Sequence, residues 1–271
     1  MRLNDTEKEI RREIESWQHA DSSVVGQAVN WAMRPVDWAV DKVAPPELVD
    51  RVSDGIQQFL STLNDASEWT YDSDDIIELA RETGLPAETV GDLRSQPIDD
   101  LDELARSHFQ QNTILAALGG GGTGMGGAAL IAADIPLLFT INLRLIQQIG
   151  ACYGFPLRGP MFGPLVLSIF NVAASGGREA RNEALREVSV AAAAFANDLE
   201  YKGRTSGTFR DQNRHLPREI AKALAGRKLG QTVPLAGAAV GAGVNYWFTS
   251  ETADAAFMCC RAMYLDWKER L

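Results

Sequence analysis

Three stretches of this chain hold no charged residue: 113–133, 159–177 and 229–250, which are 21, 19 and 22 residues long. As helices rising about 1.5 Å per residue, each has the length of a bilayer core. Their content, however, is not the Leu and Ile of a lipid-facing span. Seven glycines fall between Gly119 and Gly127, and the last stretch sets Gly237, Gly241 and Gly243 among alanines and valines. Small residues about one turn apart, as at Gly237 and Gly241, let two helix backbones come close, and Gly124 and Gly127 are expected to serve the same end. Each glycine costs a helix about 1 kcal/mol, so a helix with several of them holds only where tight packing compensates. Through Gly119–Gly122 a continuous helix and a break both fit.

Two readings of these runs stand side by side. In the first, they form a central helical pair inside a bundle, apolar all round because neighbours surround it. In the second, the same helices contact lipid or enclose a hydrophobic small molecule. A full transmembrane topology is disfavoured, since the apolar strength is low and the flanks lack a Lys/Arg asymmetry.

The rest of the chain reads as helix. Apolar residues recur at spacings of three and four over 6–19, 23–43 and 46–63, with Pro45 and Pro46 dividing the last two. A helix over 72–83 opens on Asp72, Asp74 and Asp75 and stops at Gly84. Residues 84–98 form a connector with one short helix. Breaks are predicted near Pro136, at Gly154–Pro156, at Gly176–Gly177, over 203–216 and near Pro234. No stretch alternates with period two, so the expected fold is all-α, a multi-helix bundle around a central pair of Gly/Ala-rich apolar helices. Composition shifts near residue 98. Four of the six tryptophans lie before it and the Gly/Ala-rich sequence after it, which divides the chain into a helical N-terminal region, 1–97, and a main body, 98–271, that can share one core.

Charge narrows the partners. With 26 basic and 36 acidic residues the net charge is -10, which is unsuited to neutralising phosphates, so no nucleic-acid partner is expected. The charged start has no apolar run behind it, so cytoplasmic residence is expected, with peripheral contact to the inner membrane under the second reading. Cys152, Cys259 and Cys260 read as buried reduced thiols, because adjacent helical cysteines cannot bridge without strain.

A few polar residues interrupt the apolar sequence. Asp134, two residues before Pro136, reads either as a helix N-cap or as a buried carboxylate that needs a cation, with Arg144 and Arg261 available. Asn245 lies in an apolar surround and must find partners. Tyr153 adds a hydroxyl at a helix end. Asp134, Asn245, Arg261, Arg144 and Tyr153 together make the candidate polar pocket. Trp31 and Trp38, seven apart on one face, are either core or anchors at a membrane interface.

Familiar catalytic and metal motifs are missing. No His-Glu-x-x-His, paired Cys-x-x-Cys or calcium loop occurs, and the run Gly119–Gly122 has neither a Lys-Ser/Thr pair after it nor a strand before it. No metal or cofactor is expected.

The blocks Gly122-Thr123-Gly124-Met125-Gly126-Gly127, Ala132-Ala133-Asp134-Ile135-Pro136 and Tyr153-Gly154, followed by Pro234…Gly237…Gly241…Asn245 and Arg261, resemble the EcsC protein family in order and content. The resemblance covers about residues 10–268. Gly124, Gly127, Asp134, Asn245 and Arg261 match its pattern without assigned roles. The family is named after a bacterial operon that also encodes the ATPase and membrane subunits of an ABC transporter. The resemblance fixes neither an enzyme class nor a ligand. The three uncharged runs in an otherwise acidic chain lead to the expectation of a cytoplasmic helical accessory protein at the inner membrane face, binding lipid or another hydrophobic ligand, and the resemblance adds an ABC transporter as the system it assists. Two alternatives remain open: a hydrolase-like enzyme using a buried Asp/Asn/Arg pocket, and a protein-binding adaptor.

Overall fold

The computed structural model describes residues 1–20, 54, 71–107, 109, 127–199, 201 and 237–271, with backbone alone at 127–137, 160 and 237–244. Among the described residues there are seven α-helices and no strand, the all-α class that the sequence predicts. They are α1 (Asp5–His19), α2 (Ser73–Glu82), α3 (98–107), α4 (Gly127–Cys152), α5 (Gly163–Ser175), α6 (Arg178–Ala196) and α7 (Gly237–Arg270). A 3-10 turn over Val90–Ser95 occupies the predicted connector. The helix predicted over 23–43, that over 46–63 apart from the helical residue 54, and the breaks at Gly119–Gly122, 203–216 and Pro234 lie outside the described residues, as do Trp31, Trp38 and Gly124.

Local chemistry sets most of the helix ends. Asn4 caps α1 in a capping box: its side chain accepts from the Glu7 N–H, and the Glu7 carboxylate accepts from the Asn4 N–H at 2.9 Å. Asp72 caps α2 by accepting from the Asp74 N–H at 2.9 Å. That helix stops where Gly84 turns left-handed (φ 85°), so that Leu85 N–H reaches the Ala80 carbonyl and Gly84 N–H that of Arg81. Gly176 (φ 66°) ends α5 in the same left-handed conformation.

One expected boundary is corrected. The helix α4 runs without a break from Gly127 to Cys152, so Pro136 does not interrupt it and Asp134 stands inside it rather than at its N-cap. Proline has no N–H to give to the carbonyl four residues back, a cost of about 3 kcal/mol or more in a helix interior. Burial of Leu138, Phe139, Leu143, Leu145, Ile146 and Ile149 on the same helix offsets it, at about 1.5–3 kcal/mol for each such side chain.

The helices gather around α7, which packs against α6, α4, α5 and α1. The core is continuous from Ile10 and Ile14 of α1, through Ile76 and Leu101, to Met263 and Leu265 near the C-terminus. Phe170 of α5 meets Phe139 of α4 (ring centroids 4.6 Å apart) and Phe248 of α7 (5.3 Å). At the far end of α4, Tyr153 meets Phe257 of α7 at 6.1 Å. On both helices the second contact lies C-terminal to the first, so α4 and α7 run in the same direction, with their N-terminal segments, uncharged over 127–133 and 237–250, at one end of the bundle. Along α7 the first charged residue is Glu251, and Gly237 and Gly241 stand one turn apart within the uncharged part.

Candidate functional site

The end of α4 is shaped by two glycines. Gly154 takes φ 84°, its N–H bonds to the Ala151 carbonyl, and Phe155 N–H bonds to that of Gly150, a Schellman closure. A Cβ on Gly154 would lie 2.4 Å from Arg94 Cγ and 2.6 Å from the Arg94 backbone nitrogen. A Cβ on Gly150 would lie 2.7 Å from Leu157 Cδ1. Only glycine fits this reversal, which leaves Tyr153 pointing into the core with none of its surface exposed.

There the Tyr153 hydroxyl donates to Asp102 of α3. Asp102 also receives Arg261 of α7: Nε lies 3.0 and 3.1 Å from its two carboxylate oxygens, and Nη2 donates to Oδ2. The remaining nitrogen, Nη1, donates to Glu13 Oε2 of α1 at 2.8 Å. The Phe257 ring lies 4.2 Å below the guanidinium, and Arg106, one turn after Asp102 on α3, approaches the same ring at 5.4 Å. One cluster therefore ties α1, α3, α4 and α7 together. Burial and then the Asp102 charge push the Tyr153 hydroxyl well above the usual phenol range, so it stays protonated and donates. Burial works against the charge of Arg261, but its bonds to Asp102 and the Asp102 charge outweigh that and hold it protonated.

This arrangement is closed. All three Arg261 nitrogens have carboxylate partners, and Asp102 takes donors from two elements. An ion pair so enclosed holds elements in place, and losing one partner leaves the other charge buried without compensation. Among the described residues no group of three His, Cys, Asp or Glu side chains is placed to hold a metal ion. The three thiols are free and buried.

The candidate pocket of five residues is divided between two places. Tyr153 and Arg261 converge on Asp102. Asn245 is buried sixteen residues earlier on α7, about 24 Å away along the helix axis, and cannot share their site. Asp134 and Asn245 lie on the backbone near the same end of the helix pair, ahead of Phe139 and Phe248 respectively. Arg144 is exposed on α4 and joins neither group. Sequence reasoning missed Asp102 and Glu13. The signal for Asp102 was present: it shares a helical stripe with the buried Ile98, Leu101 and Ala105, where a charge needs a partner.

A second polar zone fixes α1. Arg11 pairs with Asp266 (2.7 Å) and Glu269 (2.8 Å), Lys268 pairs with the buried Glu7, and Arg181 of α6 donates to the carbonyls of Trp17 (3.2 Å) and Ala20 (2.5 Å) at the C-terminal end of α1. Cationic donors at that end also oppose the negative pole of the helix.

The chain is 26% identical over 157 residues to "Uncharacterized protein YdbA" of Bacillus subtilis (strain 168), covering 57% of this chain and 56% of that protein. It is 26% identical over 167 residues to "Protein EcsC" of the same organism, covering 61% and 64% respectively. The aligned part thus spans less than two thirds of the length of either relative. No solved structure shows significant similarity. The EcsC protein family pattern matches residues 8–265, through Glu13, Asp102, Tyr153 and Arg261 alike, and the chain belongs to that family.

Proposed function

We propose that the protein is a helical accessory protein acting at the inner face of the membrane, where the uncharged ends of α4 and α7 bind lipid or another hydrophobic ligand and an ABC transporter subunit is the protein partner. The observation behind this reading is the parallel placement of two low-polarity helix segments at the end of the bundle away from the Asp102–Arg261 cluster. Tyr246, in the uncharged part of α7, is 51% exposed there, and a phenol suits the boundary between water and lipid. No helix among the described residues is long and apolar enough to cross a membrane. The closed polar cluster favours this reading over a hydrolase-like pocket, because its charges already engage one another.

The test is flotation of the purified protein with vesicles, together with mass spectrometry of organic extracts of the protein as isolated. Co-flotation, or a stoichiometric lipid in the extract, is expected. A protein that stays at the bottom of the gradient with every vesicle composition, and yields no extractable lipid, overturns the reading.

A further inference from the structure

We propose that Arg158, with the hydroxyls of Tyr71 and Ser73, forms a binding site for a phosphate group at the C-terminal end of α4. The site does not depend on the lipid reading, which concerns the opposite end of that helix.

Three elements meet there. The Gly154 reversal leads the chain from α4 into residues 156–159, and Gln147 holds that loop by donating Nε2 to the Leu157 carbonyl at 3.0 Å. Tyr71 stands immediately before Asp72, the cap of α2, and Ser73 opens that helix. Arg158 joins the two segments. Its guanidinium carbon lies 4.3 Å from the centroid of the Tyr71 ring, and Nη2 donates to the Tyr71 carbonyl at 2.6 Å.

Arg158 differs from the other cations of the structure in what it lacks. Acidic residues outnumber basic ones by 36 to 26, and Arg11, Arg261 and Lys268 all pair with carboxylates. Among the described residues no carboxylate pairs with Arg158. Its Nε is buried and has no hydrogen-bond partner, and neither has the hydroxyl of Tyr71, a side chain 1% exposed. A buried polar group left unpaired costs about 1–3 kcal/mol, so two side by side mark a place suited to an acceptor. Burial raises the Tyr71 hydroxyl above the usual phenol range, while Arg158 and Ser73, both close enough to act on it, pull the other way without prevailing. The hydroxyl therefore keeps its proton and donates.

The occupant must supply acceptors and negative charge. A guanidinium and two hydroxyls converge from different directions, which suits the three acceptor oxygens of a phosphate group, carrying about -1.5 to -2 at pH 7 as a monoester. The site is reached from the loop side, where Arg158 is partly exposed and a Cβ on Gly159 would meet nothing within 4 Å. The exposed Asp72, Asp74 and Asp75 of the same helix start oppose the anion, which keeps binding weak and reversible.

The experiment is calorimetric titration of the full chain with inorganic phosphate at constant ionic strength, using wild type, Tyr71→Phe and Arg158→Gln. Wild type is expected to bind saturably at one site. Tyr71→Phe is expected to weaken binding about tenfold and Arg158→Gln to abolish it. Thermal unfolding without phosphate separates binding from folding: Tyr71→Phe removes an unpaired buried hydroxyl, so its midpoint should equal or exceed that of wild type. A parallel series uses phosphatidylcholine vesicles with and without phosphatidic acid. Preference for phosphatidic acid that Arg158→Gln loses assigns a lipid headgroup, and phosphate binding without that preference assigns a soluble phosphate compound. The proposal fails if wild type shows no saturable phosphate binding, or if Tyr71→Phe binds phosphate as tightly as wild type. Flotation with neutral vesicles in the absence of any phosphate binding would leave the lipid reading standing while this site fell.

Discussion

Arg261 holds Asp102 along one edge of its guanidinium, with Nε at 3.0 and 3.1 Å from the two carboxylate oxygens and Nη2 donating to Oδ2, although 159 residues separate them in the chain. The pair is buried, so either partner left alone is costly. Asp102→Asn or Arg261→Met is expected to lose about 3–5 kcal/mol in urea unfolding. Asp102→Leu combined with Arg261→Met should lose less than either single change, since no buried charge is then unpaired. Additive losses would show that the two residues act independently.

Gly154 and Gly84 both adopt left-handed backbone, yet they sit in different surroundings. Space around Gly84 is open, whereas a Cβ on Gly154 collides with the backbone and side chain of Arg94. Gly84→Ala should therefore cost only the left-handed penalty of about 1–2 kcal/mol. Gly154→Ala should cost that plus an overpacking cost of about 1–3 kcal/mol. Equal unfolding midpoints for the two variants would contradict the close approach of Arg94.

Cys152, Cys259 and Cys260 are fully buried, and burial pushes the Cys259 thiol up to about 12 and the other two upward as well. In native protein at pH 8 none of the three should react with Ellman's reagent within the minutes that denatured protein needs for complete reaction. Fast titration of any thiol in the native state would place it at the surface.

Asp254 lies on the exposed face of α7, where the protein packed around it first and the neighbouring Glu251 second raise its carboxyl to about 6. The native state then holds this proton more tightly than the unfolded chain, whose Asp titrates near about 3.9. The contribution of this group is most favourable below about pH 4 and falls as pH rises to about 6. Asp254→Asn is expected to be the more stable protein at pH 7.5 and equal to wild type at pH 4, measured by thermal unfolding. A variant less stable at pH 7.5 would reverse the sign.

Where structure follows from a few neighbouring residues, the sequence was readable. The stop of α2 at Gly84, the turn at Gly154 and the cap at Asp72 depend on local hydrogen bonds and backbone freedom. Pro136 shows the limit: a local rule predicts a break, and burial along α4 overrides it. The polar cluster was half legible. Tyr153 and Arg261 stood out as polar groups on apolar helices, whereas Asp102 was hidden in an acidic run, Asp99–Asp102, that reads as a solvated surface. Glu13 carries no local mark of its role, because its partner is 248 residues away in sequence. The pairing of Asn245 with Arg261 erred for a geometric reason, since residues sixteen apart on one straight helix cannot meet.

The uncharged ends of α4 and α7 are the centre of the functional account, and Tyr246 reports on them directly. A nitroxide spin label placed at position 246, with Glu269 at the other end of α7 labelled as the control, measures contact with lipid through oxygen and nickel-chelate accessibility. On adding vesicles, the label at 246 is expected to become more accessible to oxygen and less to the chelate, while the label at 269 does not change. Both labels remaining equally exposed to the aqueous chelate with vesicles present would contradict the account.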